Sequence, residues 1–461
     1  MMLWIYQHYI LPKLTWALMI HDLALSFVRH LDAIVRRFLK KWLHLPRGAN
    51  VAFLFIGTKK CSGLRMRRLE TVYKQMQVVK LDIIRHAQDE NVRGVFQVIE
   101  TRQKEYKRRH APATLLRQAE EEVRVAKAVQ SRPRQGGLGY KGSKQELTER
   151  KVITNAIAEM DRQSLIKHLH ELEMQGRFVE WNGTMSQDFT WKRLLYEGNG
   201  NVLQFAIKAT INVLPTRDNI RRWGGSVLEA KCPLCGWRSA TLRHVLNGCP
   251  VGLNQHRYTW RHDSILQEIG NGIREALMKP IAPPAEAQGE YLQFVRAGEQ
   301  PKKQSARREL YGLFQRSDDW TMLLDGPSGR VQIPSDMAVT VQRPDIVVYS
   351  RKLKRVIFGE LTSPWEDRVL EAQALKTAKY ASLMATVAEN GWNVDLYTIE
   401  VGSRGYVAPT LRTFLEALDL PYALVKSVMN KASAAAVRCS YVIYLSRDIP
   451  EWHQGVQANN Q

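Results

Sequence analysis

At 461 residues the chain exceeds what a single hydrophobic core usually serves, so it reads as several folded units. Sixty-seven Lys and Arg against 45 Asp and Glu leave a formal charge of +22 spread along the chain. That excess points first to a phosphate-backbone partner, with a basic protein lacking one as the plain alternative and a membrane surface less favoured.

Five cysteines are present; three cluster beside a histidine, while Cys61 and Cys439 stand far apart. This is metal usage in a reducing compartment and not a disulfide framework. The N-terminal stretch MMLWIYQHYILPKLTWALMIHDLAL is apolar, but Gln7, His8, Lys13, His21 and Asp22 interrupt it before a membrane span is reached. It predicts an amphipathic helix and no membrane.

Residues 1–95 predict a helical unit. Leu31, Ile34, Val35, Phe38, Leu39 and Trp42 recur at helical spacing, with Arg36, Arg37, Lys40 and Lys41 on the other face, either solvated or tracking a nucleic-acid backbone. Residues 96–150 predict a basic helix, carrying Arg108 and Arg109, that passes into a flexible Gly/Pro-rich linker; GGLGYKG within it lacks the preceding strand of a phosphate loop. Residues 151–230 return to helical patterning as a linker region. There Pro215 predicts a helix end and Thr216 or Asp218 a cap for the next helix, which carries Arg221, Arg222 and Trp223; basic residues beside an aromatic suit phosphate contact and base stacking, and an ordinary surface helix is the alternative.

Residues 231–262 hold Cys232, Cys235, His244 and Cys249 at the spacing C-x2-C-x8-H-x4-C. Two thiolates from a tight CPLC turn, and a short helix from Thr241 bringing His244 and Cys249 round, predict a closed structural zinc site with no open position for catalysis. His256 and His262 follow as surface or groove residues, His256 also as a remote substitute ligand. Residues 263–300 predict connecting helices.

Residues 301–448 change to an α/β pattern, with a tail at 449–461. A helix over KKQSARRELYGLF precedes strands at WTMLLD, RPDIVVYS and KRVIFGEL, a long helix from Glu366 to Asn390, and a strand at NVDLYTIEV. Arg343 and Pro344 precede Asp345, which opens one strand; fourteen residues intervene before Glu360, which closes the next. Two carboxylates at one end of a small sheet suit a divalent metal, Mg²⁺ or Mn²⁺, that activates water against a phosphodiester, with a lysine orienting the water or offsetting charge. Thr362 stands two residues after Glu360, where that lysine is expected. Lys376 is therefore the first choice and Lys379 the second, on a helix whose Val369, Ala372, Leu375 and Leu383 would dock it on the sheet. Glu309 and Glu366 are further candidates for the acid cluster. Asp318-Asp319 reads as a turn, and solvated lysines beside a structural acid pair remain the bland alternative.

These motifs resemble the C-terminal half of the protein of non-LTR retrotransposons that carry a restriction-enzyme-like endonuclease, over nearly the whole chain. YQHYILPKLTWAL through RFLKKWLHLP is similar to a reverse transcriptase thumb, and ATINVLPTRDNIRRW is similar to the linker before the zinc group. CPLCGWRSATLRHVLNGC resembles the Cys-Cys-His-Cys knuckle, and RPD with GEL resembles the PD-(D/E)xK-like nuclease; these two are the specific matches. The resemblance implies multidomain α and α/β architecture. It also implies an enzyme of the nucleus that nicks chromosomal DNA so that the 3′ hydroxyl primes reverse transcription, with element RNA as a second partner. Asp345 and Glu360 then correspond to the metal-binding acids and Lys376 or Lys379 to the displaced lysine. From their charge, Arg36, Arg37, Lys40, Lys41, Arg108, Arg109, Arg221, Arg222 and Arg343 are the candidate nucleic-acid contacts. No polymerase Asp-Asp signature is present, so a fragment, truncated copy or domesticated remnant is expected. The alternative is a non-catalytic DNA- or RNA-binding remnant.

Overall fold

The computed structural model describes residues 2–57, 63–105, 111–130, 149–181, 184, 200–224, 230–278, 313–326 and 329–452. The chain divides into two compact units, residues 1–180 with 191–213, and residues 181–190 with 214–461. It is helical with one small mixed sheet, a multidomain α and α/β protein. No described helix is long and apolar enough to cross a membrane.

Among its described residues the first unit holds helices and no strand. Met2–Ile5 and Tyr6–Ile10 lead into α1 (Leu11–Ile20), followed by α2 (Leu25–Trp42), α3 (Leu69–Arg85), α4 (Glu90–Glu105), α5 (Pro112–Gln130), α6 (Glu149–His170) and α7 (Gly200–Thr210). A core of Val78, Leu81, Leu116, Ala119, Ile153 and Ile157 joins α3, α5 and α6. Of the apolar stripe expected on α2 only Leu39 is buried, and Phe38 is 48% exposed; Val28, outside that stripe, is buried as well. Asp32 is buried on that helix because Arg68 and Arg36 hold its carboxylate at 3.0 and 3.2 Å. A lone buried carboxylate would be costly, and the paired one marks where α2 meets the start of α3.

The second unit opens with α8 (Arg217–Arg222), where Thr216 Oγ1 accepts from Asn219 N at 3.2 Å and so provides the expected cap. After the cysteine module comes α9 (Arg257–Leu277), then the strands β1 (Thr321–Leu324), β2 (Ile346–Ser350) and β3 (Arg355–Thr362). α10 (Val369–Glu389) crosses to β4 (Asn393–Glu400), and α11 (Pro409–Ala417) and α12 (Tyr422–Leu445) complete the unit. The sheet order is β1-β2-β3-β4, antiparallel except for β3 with β4. A parallel neighbour needs a crossover, and α10 is that crossover.

Successive side chains of β2 and β3 point to opposite faces, and both faces are covered, which is why these strands read as unbroken apolar runs. Ile346, Val348, Ile357 and Leu361 face α9, α11 and α12. Val347, Tyr349, Val356 and Phe358 face Tyr380, Leu383 and Val387 of α10. Gly359 is needed between them: a Cβ there would lie 3.1 Å from Phe414 and 3.2 Å from Ile346 and Ile399. The stripe that docks α10 is displaced from the expected one, since Leu375 is 65% exposed and the buried series runs Val369, Tyr380, Leu383, Val387.

Candidate functional site

The register Ile346↔Gly359 sets Asp345, just before β2, opposite Glu360, inside β3. The strand continues to Thr362, two residues beyond the expected end. Backbone amides lock the pair: Asp345 N donates to Glu360 Oε2 at 3.3 Å, and Leu361 N donates to Asp345 Oδ2 at 2.6 Å. Two carboxylates are thus fixed at one end of the sheet, with Glu360 almost fully buried.

The α10 stripe brings Lys376 to them. Its Nζ donates to Glu360 Oε1 at 2.5 Å, and that of Lys379 stands 3.6 Å from the same oxygen while donating to Tyr380 Oη at 2.9 Å. Tyr380 Oη donates in turn to Arg343 O at 2.7 Å, fastening the turn before Asp345 to the helix. Burial, then the charges of Glu360 and Asp345, push the Tyr380 phenol well above its usual range, so it stays a neutral donor.

His262, expected from the sequence as a surface or groove residue, reaches the same acid from α9. Its Nε2 lies 3.4 Å from Asp345 Oδ2 and 3.3 Å from Leu361 O, and its Nδ1 is 3.1 Å from Asp263 Oδ1. Burial alone would lower its pKa; hydrogen bonds to Asp263 and Asp345 outweigh that and push it up to about 10. The only sequence signal is the adjacent His-Asp pair, and nothing in its position far upstream ties it to Asp345.

Glu366 does not join the cluster. It is buried, and its Oε2 lies 2.7 Å from Arg404 Nε, whose guanidinium sits 3.6 Å from the Trp365 ring centre and 3.9 Å from that of Trp181. Asp319 accepts from Ser317 and Ser350 at 2.5 Å and from Lys352 N at 2.9 Å, a local brace for the strand ends. Glu309, Arg108, Arg109, Cys61, GGLGYKG and most of the helix expected before Leu313 lie outside the described residues.

The cysteine module is built as its spacing predicts. Cys232 O accepts from Gly236 N at 2.9 Å, and Gly236 turns the chain with φ +73°, where a side chain would be strained. Thr241 Oγ1 accepts from His244 N, and a π turn over His244–Gly248 delivers Cys249. The four ligand atoms lie within 4.8 Å of one another, close enough to hold one metal ion. Cys232 and Cys249 sulfurs are 3.9 Å apart and Cys235 Sγ is 3.3 Å from His244 Nε2. Ligands at about 2.3 Å (S) and 2.0 Å (N) from a tetrahedral zinc stand roughly 3.5–3.8 Å apart, so the donor set is compatible with structural zinc. Burial lowers the His244 pKa, which favours the neutral form that ligates. His256 is not in this group; it precedes α9 in a left-handed conformation.

α9 joins this module to the strand end. Arg261, fully buried, donates to Leu246 O at 2.9 Å, to Ser440 Oγ at 3.1 Å and to Ser363 O at 3.4 Å, and Asn247 Nδ2 donates to Ser363 O at 3.0 Å. Ser363 directly follows β3. Arg221 and Arg222 lie 3.6 and 2.8 Å from Asp218 and Trp223 is half exposed, while the Arg343 side chain is exposed. In the first unit Arg36, Arg37, Lys40 and Lys41 line one cleft of about 900 Å³ together with Arg47, Arg68 and His168. Burial, then the nearby charge of Arg36, lowers the Lys40 pKa.

No protein-family model matches the chain, and no curated protein matches it.

Proposed function

We propose that this chain is a metal-dependent DNA endonuclease with a PD-(D/E)xK-like α/β domain, of the type carried by non-LTR retrotransposons, which nicks target DNA for target-primed reverse transcription. The observation that carries the reading is Lys376 ion-paired with Glu360 beside Asp345. Hard carboxylate oxygens fixed by backbone amides fit a divalent cation such as Mg²⁺ or Mn²⁺. Asp345 and Glu360 would hold it, and it would supply polarisation of the scissile phosphate and a water of lowered pKa. Lys376 keeps an ammonium at the acid pair, where it offsets the charge that develops on the phosphoryl oxygens. Tyr380 keeps the Arg343 carbonyl, and with it the approach to Asp345, in place. The zinc module is read as structural, and the basic cleft and the exposed arginines as contacts for DNA and element RNA.

Plasmid nicking by the purified chain with Mg²⁺ or Mn²⁺ tests this. Nicking is expected, with Asp345→Ala and Glu360→Ala abolishing it while salt-sensitive DNA binding persists. Binding with no metal-dependent nicking in the wild-type chain would favour a non-catalytic nucleic-acid-binding remnant.

A further inference from the structure

We infer that the exposed aromatic ridge of α2, Phe38 with Trp42, is a base-stacking platform beside the basic cleft, so that the first unit binds an unpaired nucleic-acid strand and not a duplex. The inference rests on the reading of that cleft as a nucleic-acid contact and is independent of the nuclease reading.

The sequence of α2 repeats a cation followed by an aromatic four residues apart, Arg37-Phe38 and Lys41-Trp42. Residues four apart share a helix face and successive residues stand about 100° apart, so cations and aromatics form adjacent stripes. The structure keeps them so. Arg37 and Lys41 line the cleft, while the Phe38 and Trp42 rings lie side by side with centroids 6.0 Å apart, Phe38 48% exposed and Trp42 half-buried. Phe27, about three turns earlier on the same face, is 50% exposed and continues the stripe.

Positive charge is left over in the cleft. Asp32 holds Arg36 and Arg68, and Arg68 is held again by Glu70 at 2.6 Å. Arg37, Lys41 and Arg47 are exposed and have no acid partner among the described residues. A phosphate backbone is the occupant whose charge complements them. Their attraction for phosphate is indifferent to base pairing; the ridge beside them is what selects. In a duplex the base faces stack on one another and only base edges reach the grooves, so an outside aromatic face has nothing to cover. An unpaired strand offers its base faces, and a basic groove flanked by aromatic side chains holds such a strand by backbone and bases together. A cleft of about 900 Å³ admits a few nucleotides of one strand, whereas a duplex would lie across its mouth.

Photocrosslinking of the full zinc-loaded chain, without added Mg²⁺ or Mn²⁺, tests the assignment. The probes are a short oligodeoxyuridylate carrying 5-iodouracil, its RNA counterpart, and the same DNA annealed to its complement, with adducts mapped by mass spectrometry. Adducts on Phe38 or Trp42 are expected from a single strand and not from the duplex, and the strand that gives them identifies the sugar. Affinity is the second readout, measured also on an abasic strand that keeps the phosphates and lacks the bases. Phe38→Ala should weaken binding of the base-bearing strand about fivefold or more and leave the abasic strand unchanged, with Phe38→Tyr restoring the affinity. Arg37→Ala with Lys41→Ala should weaken both strands alike. Adducts confined to other residues, equal ridge adducts from the duplex, or an equal loss on both strands in Phe38→Ala would each overturn the inference, and the wild-type map decides even where a variant misfolds. Weaker binding in the Arg37→Ala, Lys41→Ala chain with no adduct on the ridge keeps the cleft as a phosphate contact and removes this inference. Ridge adducts in a chain that does not nick keep it and remove the nuclease reading.

Discussion

Glu400 ends β4 fully buried, its Oε2 accepting from Thr410 Oγ1 at 2.6 Å. Burial raises its pKa above the usual 4.5, more than the threonine hydrogen bonds lower it. An acid with a raised folded pKa contributes stability that is fully present below about 4.5 and lost as pH rises through the folded value. Glu400→Gln should therefore gain in melting temperature relative to wild type at pH 7 and show little difference at pH 4; an equal offset at both would remove this account. At Lys376 the same scale bears on chemistry. On the nuclease reading, Lys376→Ala lowers the nicking rate about 10²–10³-fold with metal affinity kept, the loss expected of one transition-state donor. Lys379→Ala, whose ammonium is shared with Tyr380, should cost less, and the reverse order would exchange their roles.

Among the elements, α9 ties the cysteine module to the acid pair. Arg261 and His262 are successive residues that face different partners, the first tied to the π turn that carries His244, the second directed at Asp345. Removing the guanidinium takes a donor from the Leu246 carbonyl inside the protein, at about 1–3 kcal/mol for a buried group left unmet. Arg261→Met should therefore lower the melting temperature and weaken zinc retention together, read by calorimetry and by elemental analysis. The ligands themselves are tested more simply: Cys232→Ser or Cys249→Ser is expected to lower zinc from one ion per molecule. The docking of α10 shows why an element can be legible while its rotation is not. Leu375 has the right spacing for a core stripe, yet Lys376 takes the inward position because Glu360 receives its charge there.

For the molecule as a whole, the charge of +22 acts through where it is gathered. Arg36 is partly committed to Asp32 and Lys40 donates to the Arg47 carbonyl, whereas Arg37 and Lys41 line the same cleft and are both exposed. Arg37→Ala with Lys41→Ala should weaken DNA binding and flatten the slope of log K against log salt by about 0.9 for each phosphate no longer neutralised. A slope unchanged in the double variant would place the phosphate-binding residues elsewhere, and affinity insensitive to salt in the wild type would argue against nucleic acid altogether. Local rules alone were enough to find the strands around Asp345 and Glu360, the extent of α10, the Thr216 cap and the four ligands of the cysteine module. Alternation, helical period and ligand spacing act over a few residues, so they are written in the order of the chain. It took the folded chain to show that Glu366 is spent on Arg404, that Lys376 and not Leu375 faces the sheet, and that His262 lies against Asp345. Those outcomes depend on which distant segments cover each face of the sheet, a property of packing that no spacing in the sequence records.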